Sequence, residues 1–170
     1  GTSDLTGKEC TPNTVHWTYD TWAQANTVGT AITRGGKRNW FFITVDYAFG
    51  HALERDASES IKAAGGRIVG TVKHPLGTAD LSSFLLQAQA SGADVIGLGS
   101  AGADTVNAVK QASEFGIVQR GQRLAAMLMV LNDINALGLP SAQGLMLSEA
   151  FYWDTNDKTR EWAKRYAAQN

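Results

Sequence analysis

The stretch that most constrains the fold is residues 39–50, Asn-Trp-Phe-Phe-Ile-Thr-Val-Asp-Tyr-Ala-Phe-Gly, where a continuous apolar run meets a turn and then a helical pattern. Residues 40–45 are dense in aromatic and β-branched side chains and do not alternate with polar ones. A strand needs that composition when both of its faces are covered, as in a parallel sheet with helices above and below. Asp46, Tyr47, Ala48 and Phe49 then fall at its carboxyl end. Loops and helix N-termini converge at that end of an open α/β sheet, so a ligand is expected there.

The remaining chain repeats the same unit. A helical pattern runs from near Trp22 through Ala25, Val28 and Ile32 to Gly35-Gly36. Leu53, Ala57, Ser60, Ile61 and Ala64 share one stripe of the helix that follows the first strand. Glu54, Asp56 and Glu59, with Arg55 and Lys62, are assigned to its solvated side. A second strand is expected over residues 67–72, with Asp80 as N-cap of a helix carrying Leu81, Phe84, Leu85 and Ala88. A third strand over 94–99 leads to a helix over 104–115 with Val106, Val109 and Ala112 inward. A fourth strand over 124–130, a short segment over 132–137, a fifth strand over 145–148 and a charged helix over 157–169 complete the series. This alternation predicts an α/β fold with right-handed crossovers and a parallel sheet covered by helices on both faces. Residues 1–25 differ, being small and polar and then aromatic over 16–22; they read as extended chain whose aromatics form either a satellite core or a ligand wall. The charged helix runs to Asn170 without a C-cap glycine, so a piece of a larger protein is expected.

Charge and composition exclude several functions. With 15 Lys and Arg against 16 Asp and Glu, the chain has no field to attract nucleic acid, and no nucleic-acid partner is expected. Its longest apolar run, residues 124–131, suits a buried strand and falls far short of a membrane span. Cys10 is the only cysteine, which excludes an internal disulfide and is read as a small, semi-buried or capping residue. His16, His51 and His74 lack metal-ligand spacing. The amino end has no basic and apolar leader, so the chain is cytoplasmic or is an exported protein seen without its leader.

Chemistry is advertised at one place only. Gly97-Leu98-Gly99-Ser100-Ala101-Gly102 matches G-x-G-x-x-G between a strand and a helix, the context of a dinucleotide fingerprint. It lies on the third strand rather than the first and lacks an acidic residue about 20 positions on, so the alternative is a small-residue turn that leaves room for another ligand. No nucleophile elbow, P-loop or Cys-His pair occurs, so no cofactor and no catalytic residue is assigned. Met127-Leu128-Met129 reads as strand core, or as the lining of an adaptable apolar pocket at a strand end.

Four segments taken in order resemble a known family. They are Thr44-Val45-Asp46-Tyr47-Ala48-Phe49-Gly50-His51-Ala52-Leu53, Gly65-Gly66 with the next strand, Asp80-Leu81-Ser82-Ser83-Phe84 with Ala93-Asp94-Val95-Ile96, and Gln111-Ala112-Ser113-Glu114-Phe115-Gly116-Ile117. Together they resemble the second lobe of a type I periplasmic substrate-binding protein of the branched-chain amino acid (Leu/Ile/Val) ABC-transporter family. The resemblance implies an exported, periplasmic, non-enzymatic protein whose two lobes close on a small solute and deliver it to a membrane permease. It implies that residues 1–25 are the end of a first lobe with its crossover and that residues 26–170 are the second lobe, incomplete at its C-terminus. Thr2 and Ser3 would then grip a ligand carboxylate, Tyr47 and Phe49 would supply the cleft aromatics, and Ser100 and Ala101 a second contact turn, with Met127 and Met129 beside them. Amino-acid binders of the family carry an acidic residue at the fourth strand's end, and here none precedes Asp133. An ammonium buried without a counter-charge costs several kcal/mol, so a solute without a free α-amine, such as an aromatic acid, is expected. A receptor ectodomain and an NAD-binding enzyme domain built on Gly97, Gly99 and Gly102 are the alternatives.

Overall fold

The apolar run becomes β1 (Asn39–Val45), buried along its length from Trp40 onward, in a computed structural model that describes residues 1–169. Around it the chain forms α1 (Thr21–Arg34), α2 (Ala48–Ala63), β2 (Arg67–His74), α3 (Ser82–Ala90), β3 (Val95–Gly99), α4 (Ala103–Glu114), β4 (Arg123–Ala126), α5 (Leu131–Leu137), β5 (Leu145–Leu147) and α6 (Asp157–Ala167). The five strands are parallel in the order β2-β1-β3-β4-β5, which is the expected fold class.

Strand alternation sends neighbouring side chains of β1 to opposite faces. Trp40 and Phe42 stack on each other at 6.0 Å and pack with Ala25, Val28 and Ile32 of α1 and Leu53, Ala57 and Ile61 of α2. Phe41 and Ile43 pack on the other face with Leu85 and Ala88 of α3 and Ala108, Val109 and Ala112 of α4. Burying each large apolar side chain stabilises the fold by about 1.5–3 kcal/mol before chain entropy is counted. The Trp40 indole N–H donates to Thr33 Oγ1 at 3.0 Å, so its one polar atom enters the core with a partner.

Several expectations are corrected. β4 ends at Ala126 rather than at residue 130: its registered pairs finish at Leu98 of β3 and at Leu147, the last residue of β5, and the Met127 amide adds one bond to the Leu98 carbonyl at 3.2 Å before the chain turns away. Asp80 does not occupy the N-cap position: α3 starts at Ser82, and Asp80 Oδ1 accepts from the Ser82 amide one step outside the helix. Cys10 is exposed rather than semi-buried. Asp56 is not on the solvated side of α2 but is 3% exposed, because the chain of residues 1–20 folds back over it. The missing C-cap was read at Asn170, which lies outside the described residues.

α6 stands apart from this packing. It has no buried residue, and its Trp162 joins Phe151 at 5.0 Å and stacks on Tyr166 at 5.3 Å.

Candidate solute site

The order β2-β1-β3-β4-β5 makes the gap between β1 and β3 the topological switch point, since the helices leaving these two strands pass to opposite faces of the sheet. The carboxyl edge there is the natural crevice of an α/β sheet. A cavity of about 190 Å³ opens beside it. Phe49 and Leu53, one turn apart on α2, and Leu128, just past β4, form its apolar floor. Gly1, Thr18, Tyr19, Asp20, Thr21 and Gln24 form the opposite wall.

Asp20 belongs to that wall for a local reason. It is the N-cap of α1, its Oδ1 accepting from the Ala23 amide at 2.8 Å, and that capping position sets its carboxylate on the cavity lining. Gln24, one turn on, is buried and accepts at its backbone and side-chain oxygens from Ser148 Oγ, which ties the end of β5 to α1. The lining holds hydroxyls, an amide and one carboxylate over an aromatic and aliphatic floor, and it holds no histidine, cysteine or basic side chain. Such a surface can orient a small solute by hydrogen bonds while desolvating its apolar part.

Of the eight ligand contacts that the resemblance implies, Phe49 alone lines this cavity. Tyr47 sits beside it, the rings 5.9 Å apart, at the N-cap of α2 and 41% exposed. Thr2 caps a short 3-10 turn through its Oγ1, which accepts from the Asp4 amide, and Ser3 donates its hydroxyl to Asp56. Ser100 is buried and bonds to Thr105 Oγ1 at 2.9 Å, with Ala101 partly covered next to it. Met127 belongs to the core over α1 and α2 and Met129 to the opposite core, leaving Leu128 between them to reach the cavity. Within the aromatic stretch of residues 16–22, Tyr19 lines the cavity while Trp17 is 92% exposed. Sequence reasoning missed Asp20, Gln24, Leu53 and Leu128; a capping aspartate ahead of the first helix was the available signal for Asp20.

The glycine motif has a packing explanation. A Cβ on Gly97 would lie 2.5 Å from the Phe42 ring, and one on Gly99 would lie 2.8 Å from Thr44 Oγ1. These are the residues paired with them in register across β1 and β3. Small residues on β3 therefore make room for large ones on β1. Gly102 is the one that needs its backbone freedom, at φ 59° ahead of α4.

A second, more open groove of about 640 Å³ runs along α5 and β5. It is lined mainly by aliphatic residues, Leu131, Ile134, Leu139, Ala142, Leu145 and Leu147, and offers fewer polar groups.

Comparison with known proteins agrees with the geometry. Over 99% of its length the chain is similar to a periplasmic binding protein from Burkholderia mallei, at 51% identity and TM-score 0.90, covering 44% of that chain. It is similar over 98% of its length to a branched chain amino acid ABC transporter periplasmic ligand-binding protein from Burkholderia xenovorans, at 37% identity and TM-score 0.89, again covering 44% of that chain. A solute binding protein of an ABC transporter from Rhodopseudomonas palustris, in complex with p-hydroxybenzoic acid, matches 82% of the chain at 25% identity and TM-score 0.73, with 38% of that chain covered. The chain thus spans less than half the length of these structures. No curated protein sequence matches. The sequence profile of the periplasmic binding protein family matches residues 1–170 without interruption, and the chain belongs to that family.

Proposed function

We propose that the protein is the solute-binding component of an ABC uptake transporter, acting in the periplasm, binding a small organic acid and handing it to a membrane permease. The observation that carries this reading is the cavity at the switch point, walled by residues 1–24 on one side and by α2 on the other. Residues 1–25 serve as the end of a first lobe and its crossover, and residues 26–170 as the second lobe. A solute bridging both lobes favours the closed arrangement by its differential contacts, and closure is the signal a permease reads. The lining presents hydroxyls and a carboxylate without a base paired to a nucleophile, so we read the protein as a binder rather than an enzyme.

Phe49, Leu53 and Leu128 favour a solute with an aromatic or aliphatic body, and the Rhodopseudomonas palustris structure holds such a molecule. Asp20 favours a second reading, an amino acid whose ammonium meets that carboxylate. Titration of the full-length protein with benzoate, 4-hydroxybenzoate and leucine separates the two. Micromolar binding of either benzoate, undiminished in Asp20→Asn, establishes the acid reading, since asparagine keeps the cap and removes the charge. Micromolar leucine binding that falls at least ten-fold in Asp20→Asn establishes the amino-acid reading. Phe49→Ala weakens the bound solute in both cases, and an unchanged affinity would remove the cavity from the solute path.

A further inference from the structure

Asp56 is the one buried carboxylate on α2, and four donor groups converge on it. Its Oδ2 accepts from Ser3 Oγ at 2.7 Å and from Thr21 Oγ1 at 2.6 Å. Its Oδ1 accepts from Arg55 Nε at 2.9 Å and from Arg55 Nη2 at 2.8 Å. The same guanidinium donates to Ser3 Oγ at 3.0 Å and pairs with Asp4 at 3.1 Å, while the Ser3 amide donates to Thr21 Oγ1 at 3.0 Å. Thr21 is itself a wall residue and Ser3 lies two residues from Gly1, another wall residue, so one carboxylate gathers both strips of the wall. Asp56 also lies three residues after Leu53 and seven after Phe49, so helical spacing places all three along one stripe of α2. The floor and the opposite wall of the cavity are therefore referenced to the same short stretch of helix.

We infer that Asp56 is a positioning residue for the solute: it holds residues 1–21 against α2 and thereby fixes the separation of the two cavity walls. This rests on the reading that the cavity takes the solute. Removing the charge leaves Arg55 without its nearest buried partner and leaves the Ser3 or the Thr21 hydroxyl without a strong acceptor. The wall then samples other positions, and a solute that touches both sides loses affinity although no residue that touches it has changed.

The test uses the full-length protein with Asp56→Asn, Ser3→Ala, their combination and Phe49→Ala. Amide hydrogen exchange and titration with benzoate and leucine are measured at a temperature where each variant is folded. Asp56→Asn should speed exchange of residues 1–21 at least ten-fold while β1 and β3 stay protected, and should weaken the bound probe at least ten-fold. Ser3→Ala, which serves alone should Asp56→Asn fail to fold, should act in the same direction. The double variant should be no weaker than Asp56→Asn, because Ser3 acts through that carboxylate. Unchanged exchange over residues 1–21 overturns the inference whether or not either probe binds, and so does unchanged affinity in Asp56→Asn when Phe49→Ala weakens binding. An effect of Ser3→Ala that persists in full on top of Asp56→Asn also overturns it, since Ser3 would then meet the solute directly. Unchanged affinity in Phe49→Ala instead refutes the cavity as the solute site, and exchange still decides whether Asp56 fixes the segment.

Discussion

At the scale of single residues, the sheet depends on pairing a ring with a hydrogen. Phe42 faces Gly97 and Phe41 faces Gly70 across the ladders of β1, and a Cβ on either glycine would come within 2.7 Å of the ring or closer. Gly97→Ala should therefore destabilise the fold by about 1–3 kcal/mol, read as a lower urea midpoint with little change in slope. Phe42→Leu in the same chain should recover part of that loss by vacating the ring's space. The glycine run was legible in the sequence as a pattern, but its cause was not, since a strand's cross-strand partner is chosen by topology. Asp56 is a different case: it lies three residues after Leu53 and four before Ser60, at the edge of the buried stripe, but its charge pointed to solvent and the segment that covers it could not be read from the sequence.

At the scale of elements, the sequence showed the five strands and the longer helices, left α5 as a short segment of no stated type, missed the 3-10 turn over Ser3–Thr6, and misplaced where β4 stops. β4 is four residues long and its last pair is with Leu147, where β5 ends, so its length is matched to a neighbour rather than to the apolar residues that continue past it. The segment ahead of α1 was the least legible, since polar and small residues carry no periodicity and are placed by hydrogen bonds. Its anchoring has a pH dependence. Desolvation around Asp4 would by itself raise its pKa, and hydrogen bonding and charge from Arg55, with Lys8 beside them, outweigh that and hold it below the ordinary carboxylate value. A carboxylate with a lowered folded pKa adds stability that is complete above its unfolded pKa, about 4, and is lost as pH falls through the folded value. Amides of residues 3–10 should thus keep their protection from pH 7 down to about pH 4 and lose it below, and Arg55→Gln should flatten that acid limb.

At the scale of the whole molecule, the α/β class, the single sheet and the family resemblance were all readable in order of elements, because the alternation of periods is a global signal. Of the candidate cavity's lining, Phe49 and Tyr19 of the aromatic stretch were readable, while Gly1 and Gln24 were not, since side-chain hydrogen bonds rather than periodicity place that part of the chain. The 170 residues match 44% of the Burkholderia mallei structure, and under the two-lobe reading proposed above they would supply a single jaw. Benzoate and leucine are each expected to bind this chain alone more weakly than about 1 mM, while the full-length protein binds its solute in the micromolar range or tighter. Micromolar affinity in the 170-residue chain would place the whole recognition surface within it.

The strand order has a bearing on how the sheet assembles. β2 joins β1, β3 takes β1's other side, and β4 and β5 each extend the edge left by the strand before. Each new strand meets a neighbour that lies earlier in the chain, so the sheet can grow strand by strand in sequence order and never needs to reopen.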